Sequence, residues 1–92
     1  MSFNDEQKVK LVELFNRDFA SIREQGKWDD VLREKLKQIK TEKKGKQRSL
    51  FKNQDRAQVI ELFAWLVRAK KTNITIQDLN LAIRDSQKSR AQ

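Results

Sequence analysis

Apolar residues recur along this chain at spacings of three and four positions, which places them on one face of a helix. Residues 4–25 are predicted to form the first helix because they carry such a stripe: Val12, Phe15, Phe19 and Ile22. Residues 29–40 are predicted to form a second helix, with a stripe of Trp28, Leu32, Leu36 and Ile39. Both helices are amphipathic, so each is expected to bury one face.

The third predicted helix covers residues 50–71 and is the most apolar of the four. Positions 62–67 are all apolar, which leaves little room for a polar face. This helix is therefore expected to be the central element, or to bury its second face in a partner. A fourth helix is predicted over residues 76–86. It follows a capping-box pattern, with Thr75 at the cap and Asp78 three residues later.

The segments outside these helices are polar. Residues 41–49 lose all apolar periodicity and are predicted to form an exposed basic loop, and residues 87–92 are predicted to form a frayed tail. No segment shows the alternation of a strand. The sequence therefore predicts an all-α fold of about four helices packed around the third. A chain of 92 residues is long enough for one domain, which is expected to span residues 1–92.

Composition excludes several classes of function. The chain has no cysteine and no histidine, so it has no disulfide framework, thiol nucleophile or imidazole base. No pair of carboxylates has an apolar setting that would suit general acid catalysis, and no glycine-rich phosphate loop is present. We therefore expect a protein that is not an enzyme and that uses neither a metal nor another cofactor. With no long apolar run, no membrane contact is expected, and the predicted location is cytoplasmic, or nuclear in a eukaryote.

The positive charge is concentrated in one segment. Residues 33–52 contain nine basic and two acidic residues, and this net charge of +7 accounts for nearly all of the formal charge of +8. Clustered lysines repel one another, whereas a polyanion reverses the sign of that energy and releases counterions on binding. The predicted phosphate-binding residues are Arg33, Lys37, Lys40, Lys43, Lys44, Lys46, Arg48 and Lys52. Lysine-rich faces also occur simply as solvated surfaces, so this pattern favours a polyanion partner without establishing one.

Two aromatic residues flank the basic segment closely enough to be candidates for stacking on bases. Trp28 precedes it and Phe51 lies near its end. Exposed aromatic rings are typical of proteins that bind single strands. For both residues, however, packing in the core is the favoured interpretation.

These observations predict a small basic helical module that binds DNA or RNA through backbone phosphates. The alternative is a regulatory or interaction module that docks on an acidic protein surface or associates with itself through the third helix. The breadth of the apolar surface on that helix supports this alternative, because a short chain could leave part of it uncovered.

Overall fold

The computed structural model describes the backbone of residues 3–90 and the side chains of residues 3–88. This part of the chain is mostly helical and carries one small antiparallel sheet of two strands. Its elements are α1 (Asp5–Arg17), α2 (Phe19–Arg23), α3 (Trp28–Gln38), β1 (Lys40–Lys43), β2 (Lys46–Ser49), α4 (Asn53–Arg68) and α5 (Ile76–Arg90). The predicted helical class is confirmed in outline, and the boundaries of several elements differ from the prediction.

The first predicted helix is divided into two. Asp18 ends α1 with a φ of −115°, and α2 starts at the next residue. Aspartate is a poor residue for a helix interior, which explains the position of the break. The start agrees with the predicted cap: the Asn4 side chain accepts a hydrogen bond from the Gln7 N–H at 2.8 Å. In return, the Gln7 side chain accepts one from the Asn4 N–H at 2.9 Å.

Helix α4 is shorter than predicted at both ends. Leu50 and Phe51 are buried, but they belong to the extended connection before the helix. Asp55 accepts a hydrogen bond from the Lys52 N–H at 2.9 Å and so fixes the start of α4. At the other end, Lys70 takes a left-handed conformation (φ 59°), and the Lys71 N–H reaches back to the Leu66 carbonyl. This pair of features is the Schellman motif, which ends a helix.

Helix α5 begins where the sequence predicts and ends later. Thr75 and Asp78 form the predicted capping box, with hydrogen bonds of 3.2 Å and 3.1 Å between each side chain and the other residue's N–H. The predicted frayed tail is wrong for residues 87–90, which continue the helix to Arg90. No glycine or proline follows Asp85, so nothing in the sequence breaks the helix there. Residues 91 and 92 lie outside the described residues.

The cap of α5 gives a direct test of this boundary. Thr75→Ala removes the oxygen that accepts from the Asp78 N–H. We expect the free energy of unfolding to fall by about 1 kcal/mol. Amide hydrogen exchange should become faster at residues 76–79 and stay unchanged in α3. A variant whose exchange pattern matched that of the unmodified protein would place the start of the helix elsewhere.

The helices enclose one hydrophobic core to which every helix contributes. Contacts link α1 to α5, α5 to α4, α4 to α3 and α3 to α2. Phe63 of α4 lies against Phe15 of α1 and Phe19 of α2, with ring centroids 5.2 and 5.0 Å apart. The apolar residues of α4 that are only partly buried, Ile60, Trp65 and Val67, also pack against this core. Helix α4 therefore packs between α3 and α5 and contributes Phe63 to the core.

The predicted basic loop over residues 41–49 is wrong, because this segment forms a β-hairpin. Each of the four residues of β1 pairs with one of β2, from Lys40 opposite Ser49 to Lys43 opposite Lys46. At the base of the hairpin, the N–H of Leu50, which follows β2, donates to the carbonyl of Ile39, which precedes β1, at 3.1 Å. Exposure was predicted correctly, since all of the hairpin except the partly buried Thr41 is exposed.

Within residues 3–90, no helix is long and apolar enough to cross a membrane.

Candidate nucleic-acid interface

The hairpin is closed by a tight turn of two residues, Lys44 and Gly45. Both have positive φ, 53° and 75° respectively. Two consecutive residues with positive φ are the signature of a type I′ turn, whose twist matches that of the flanking strands. Gly45 takes this conformation without steric cost, whereas Lys44 takes it against the preference of a side chain with a Cβ. The turn places the Lys44 ammonium group at the tip of the hairpin.

The register of the strands sorts the hairpin side chains onto two different faces. Residues paired across an antiparallel ladder share a face, and successive pairs alternate. One face therefore carries Thr41, Lys43, Lys46 and Arg48. We call this the cationic face. The other, which we call the neutral face, carries Lys40, Glu42, Gln47 and Ser49. Three of the hairpin's cations thus lie together, and its one carboxylate lies on the opposite side.

The cationic face contains a pairing that disfavours folding. Lys43 and Lys46 are directly opposite each other in the ladder, and like charges in this position destabilise a hairpin. Arg48 lies on the same face, one pair closer to the base. None of these three residues, nor Lys44, forms an ion pair with any residue in the described part of the chain. These four charges are therefore not neutralised by a direct ion pair in the isolated protein.

The base of the hairpin is tied to the first turn of α1. The Thr41 hydroxyl donates to the Glu6 carboxylate at 2.9 Å, which holds β1. The Gln7 side-chain amide donates to the Leu50 carbonyl at 2.9 Å, which holds the residue after β2. Both strands are thus fixed at the base of the hairpin, which is the end next to α1. The Arg56 guanidinium donates to the Phe51 carbonyl at 2.7 Å and fixes the connection to α4.

A cleft of about 260 Å³ opens between the cationic face, the start of α1 and the start of α4. Lys43, Arg48 and Lys52 line it together with two carboxylates, Glu6 and Asp55. Each carboxylate already accepts a hydrogen bond from the protein, Glu6 from Thr41 and Asp55 from the Lys52 N–H. The cleft therefore brings three of the eight predicted phosphate-binding residues together.

The other predicted residues are more widely distributed. Lys44 and Lys46 lie at and beside the tip of the hairpin. Lys40 lies on the neutral face, where its ammonium group contacts the Ser49 hydroxyl at 3.4 Å. Arg33 and Lys37 are exposed on α3 and do not line the cleft. Lys37 forms an ion pair with Glu34 at 3.2 Å, so its charge is partly compensated.

Neither candidate aromatic residue is fully exposed. Phe51 is fully buried, and Trp28 packs against the core with its ring at 5.4 Å from that of Phe19. The other four phenylalanines are buried, and Trp65 is packed against the core. The packing interpretation is therefore confirmed for both Trp28 and Phe51.

Sequence reasoning missed the residues that position the hairpin. Glu6, Gln7 and Thr41 carry no charge cluster or motif that would single them out. The turn itself left only half of the usual signal, because Gly45 suits the second position of a two-residue hairpin turn, whereas Lys44 replaces the asparagine, aspartate or glycine that favours the first. The low strand propensity of lysine, glutamate and glutamine obscured it.

Among the described residues, no group of three acidic side chains lies close enough together to hold a metal ion. No protein-family model matches the chain, and comparisons with curated proteins and with solved structures gave no significant match.

Proposed function

We propose that this protein binds nucleic acid through backbone phosphates, with the β-hairpin as its principal contact. The observation that carries the proposal is the pairing of Lys43 with Lys46 on a face that also holds Arg48. A phosphate backbone next to this face replaces the repulsion between the cations with attraction. It also releases condensed counterions, which is the main source of affinity in such contacts.

The anchoring of the hairpin supports this function. Glu6 and Gln7 hold the base, while the cations at and near the tip make no ion pairs with other described residues. Lys52 lines the cleft beside the cationic face, together with Lys43 and Arg48. In this proposal Lys43, Lys44, Lys46, Arg48 and Lys52 contact phosphates directly. Arg33, Lys37 and Lys40 contribute to the attraction at longer range.

The alternative function is docking on an acidic protein surface, which the same exposed cations would serve, or self-association through α4. The second form receives no such support. Its premise is that the apolar surface of α4 exceeds what the domain can cover. In the described structure Ile60, Trp65 and Val67 pack against the core. The large apolar side chains that are exposed in the described part of the chain belong to α1 and α5 instead: Val9, Ile76 and Leu81.

The proposal is tested by the salt dependence of binding to a duplex. The logarithm of the association constant should fall linearly with the logarithm of salt concentration, with a slope of about 0.9 for each phosphate contact on duplex DNA. In Lys43→Ala with Lys46→Ala, two contacts are lost, so the slope should decrease in magnitude by about 1.8. Fluorescence anisotropy with a labelled duplex at several salt concentrations measures both slopes.

Arg17→Ala with Arg23→Ala is the matched control, because both residues are exposed cations outside the hairpin and the cleft. It removes the same charge and should change the slope much less. Equal changes in the two double variants would show that only the total charge matters, and would contradict a role for the hairpin. Absence of any binding at low salt would contradict the proposed function as a whole.

A further inference from the structure

We propose that the ligand of the hairpin is double-stranded DNA, and that the hairpin enters its major groove as a two-stranded ribbon. This inference rests on the proposed function, since it names the class of nucleic acid that the same residues bind. Three features of the described structure carry it: the packing of the aromatic residues, the shape of the hairpin and the distribution of side chains on its two faces.

The aromatic residues argue against single-stranded ligands. Binding of single strands without sequence preference relies on exposed rings on which successive bases stack. All five phenylalanines are buried here, and both tryptophans pack against the core. The hairpin itself, from Lys40 to Ser49, contains no aromatic residue. The protein can therefore contact the charged backbone of a single strand, but none of its described aromatic side chains is fully exposed for bases to stack on.

The shape of the hairpin fits one groove of B-form DNA. Its strands have four residues each, so they extend about 13 Å, and strands in a ladder lie about 4.8 Å apart. The major groove of B-form DNA is about 12 Å wide and admits a two-stranded ribbon, whereas the minor groove is only about 6 Å wide. In A-form RNA the major groove is deep and narrow, and side chains cannot read it. The ribbon is thus matched to duplex DNA rather than to duplex RNA.

The two faces of the ribbon have the chemistry that such a position requires. The cationic face presents Lys43, Lys46 and Arg48, which suit the phosphates at the wall of the groove. The neutral face presents Glu42 and Gln47 as an opposed pair. Glutamine can form two hydrogen bonds with an adenine edge, and a glutamate can accept one from the amino group of cytosine. A carboxylate would be repelled by phosphates, so its place is toward the base edges.

The shape of the ribbon is required for this mode of binding, while its charge alone is not sufficient. Gly45 has a φ of 75°, and a Cβ added to it would meet no atom within 4 Å. Gly45→Val therefore disturbs the turn only through backbone strain and leaves every charge in place. Gly45→Asn is the matched control, because asparagine tolerates a left-handed conformation far better than a β-branched residue.

Binding to three labelled ligands of one sequence and length separates the possibilities: duplex DNA, its single strand, and duplex RNA. We expect the unmodified protein to bind duplex DNA more tightly than either of the others by an order of magnitude or more. Gly45→Val should lose this preference and Gly45→Asn should largely keep it. A duplex whose cytosines carry a bulky glucosyl group in the major groove should bind poorly, and an added minor-groove ligand such as netropsin should not displace the protein.

Failure of this inference differs from failure of the proposed function. If reversing the hairpin charges abolished binding while the three ligands bound equally well, phosphate binding by the hairpin would stand and the assignment to duplex DNA would be overturned. Displacement by netropsin, with no effect of the glucosyl groups, would overturn the assignment to the major groove. If reversing the hairpin charges left the affinity for all three ligands unchanged, the proposed function itself would fail.

Discussion

Replacing Phe63 with alanine is expected to remove a large part of the stability of this domain. The Phe63 ring is fully buried and meets the rings of Phe15 and Phe19 edge to face, at centroid distances of 5.2 and 5.0 Å. Phe19 in turn contacts Trp28, so these four rings join α1, α2, α3 and α4. Truncating a buried phenylalanine costs about 3–5 kcal/mol, against a total of about 5–15 kcal/mol for a typical domain.

Thermal unfolding followed by circular dichroism measures this loss. For a domain of this size each kcal/mol lowers Tm by about 4–8 °C, so Phe63→Ala should lower Tm by more than about 12 °C. Val9→Ala is the control, because Val9 is 47% exposed on α1. Its effect should stay within about 0.5 kcal/mol. A Tm for Phe63→Ala close to that of the unmodified protein would mean that the Phe63 ring is not closely packed in the core.

The helices of this fold were predictable because their signals are local. The apolar stripes repeat within a few residues, and the caps at Asn4 and Thr75 use side chains three residues from their partners. The boundaries were less predictable where an apolar residue is buried outside a helix. Leu50 and Phe51 extend the stripe of α4 in the sequence, yet they enter the core from an extended connection.

The hairpin could not be predicted from the same kind of signal. Its strands consist of residues with low strand propensity and show no alternation of apolar and polar positions. They are held by their own ladder, by the turn at Lys44 and Gly45, and by contacts to Glu6 and Gln7. These contacts join residues 35 and 43 positions apart in the sequence, so they leave no local pattern.

The candidate site was predictable in composition but not in arrangement. The excess of positive charge between residues 33 and 52 is evident from the sequence alone. Which of these cations act together depends on the register of the strands, because a shift by one residue would exchange the two faces. The observed register groups Lys43, Lys46 and Arg48 and separates them from Lys40. The hairpin thereby places these three cations on one face and its own carboxylate, Glu42, on the other.

Reversing the four cations of the hairpin is expected to abolish binding to nucleic acid while leaving the fold intact. The variant combines Lys43→Glu, Lys44→Glu, Lys46→Glu and Arg48→Glu. All four residues are exposed, and none takes part in an ion pair or a side-chain hydrogen bond with another described residue. The repulsion between residues 43 and 46 keeps its magnitude when both become negative. Residues 43 and 48 gain repulsion from Glu6 and Asp55 across the cleft, but exposed charges change stability only slightly. Helical circular dichroism and Tm should therefore remain close to those of the unmodified protein.

The loss of affinity follows from the number of contacts. An exposed pair of opposite charges contributes up to about 1 kcal/mol, and four such contacts would be replaced by four repulsive ones. Because each 1.4 kcal/mol is a factor of ten, we expect the affinity for duplex DNA to fall by about 100-fold or more. The matched control reverses Arg17, Arg23, Lys27 and Lys71, four exposed cations outside the hairpin that form no ion pair with another described residue. It should weaken binding far less, and an equal loss in both quadruple variants would mean that the hairpin holds no special position in the binding surface.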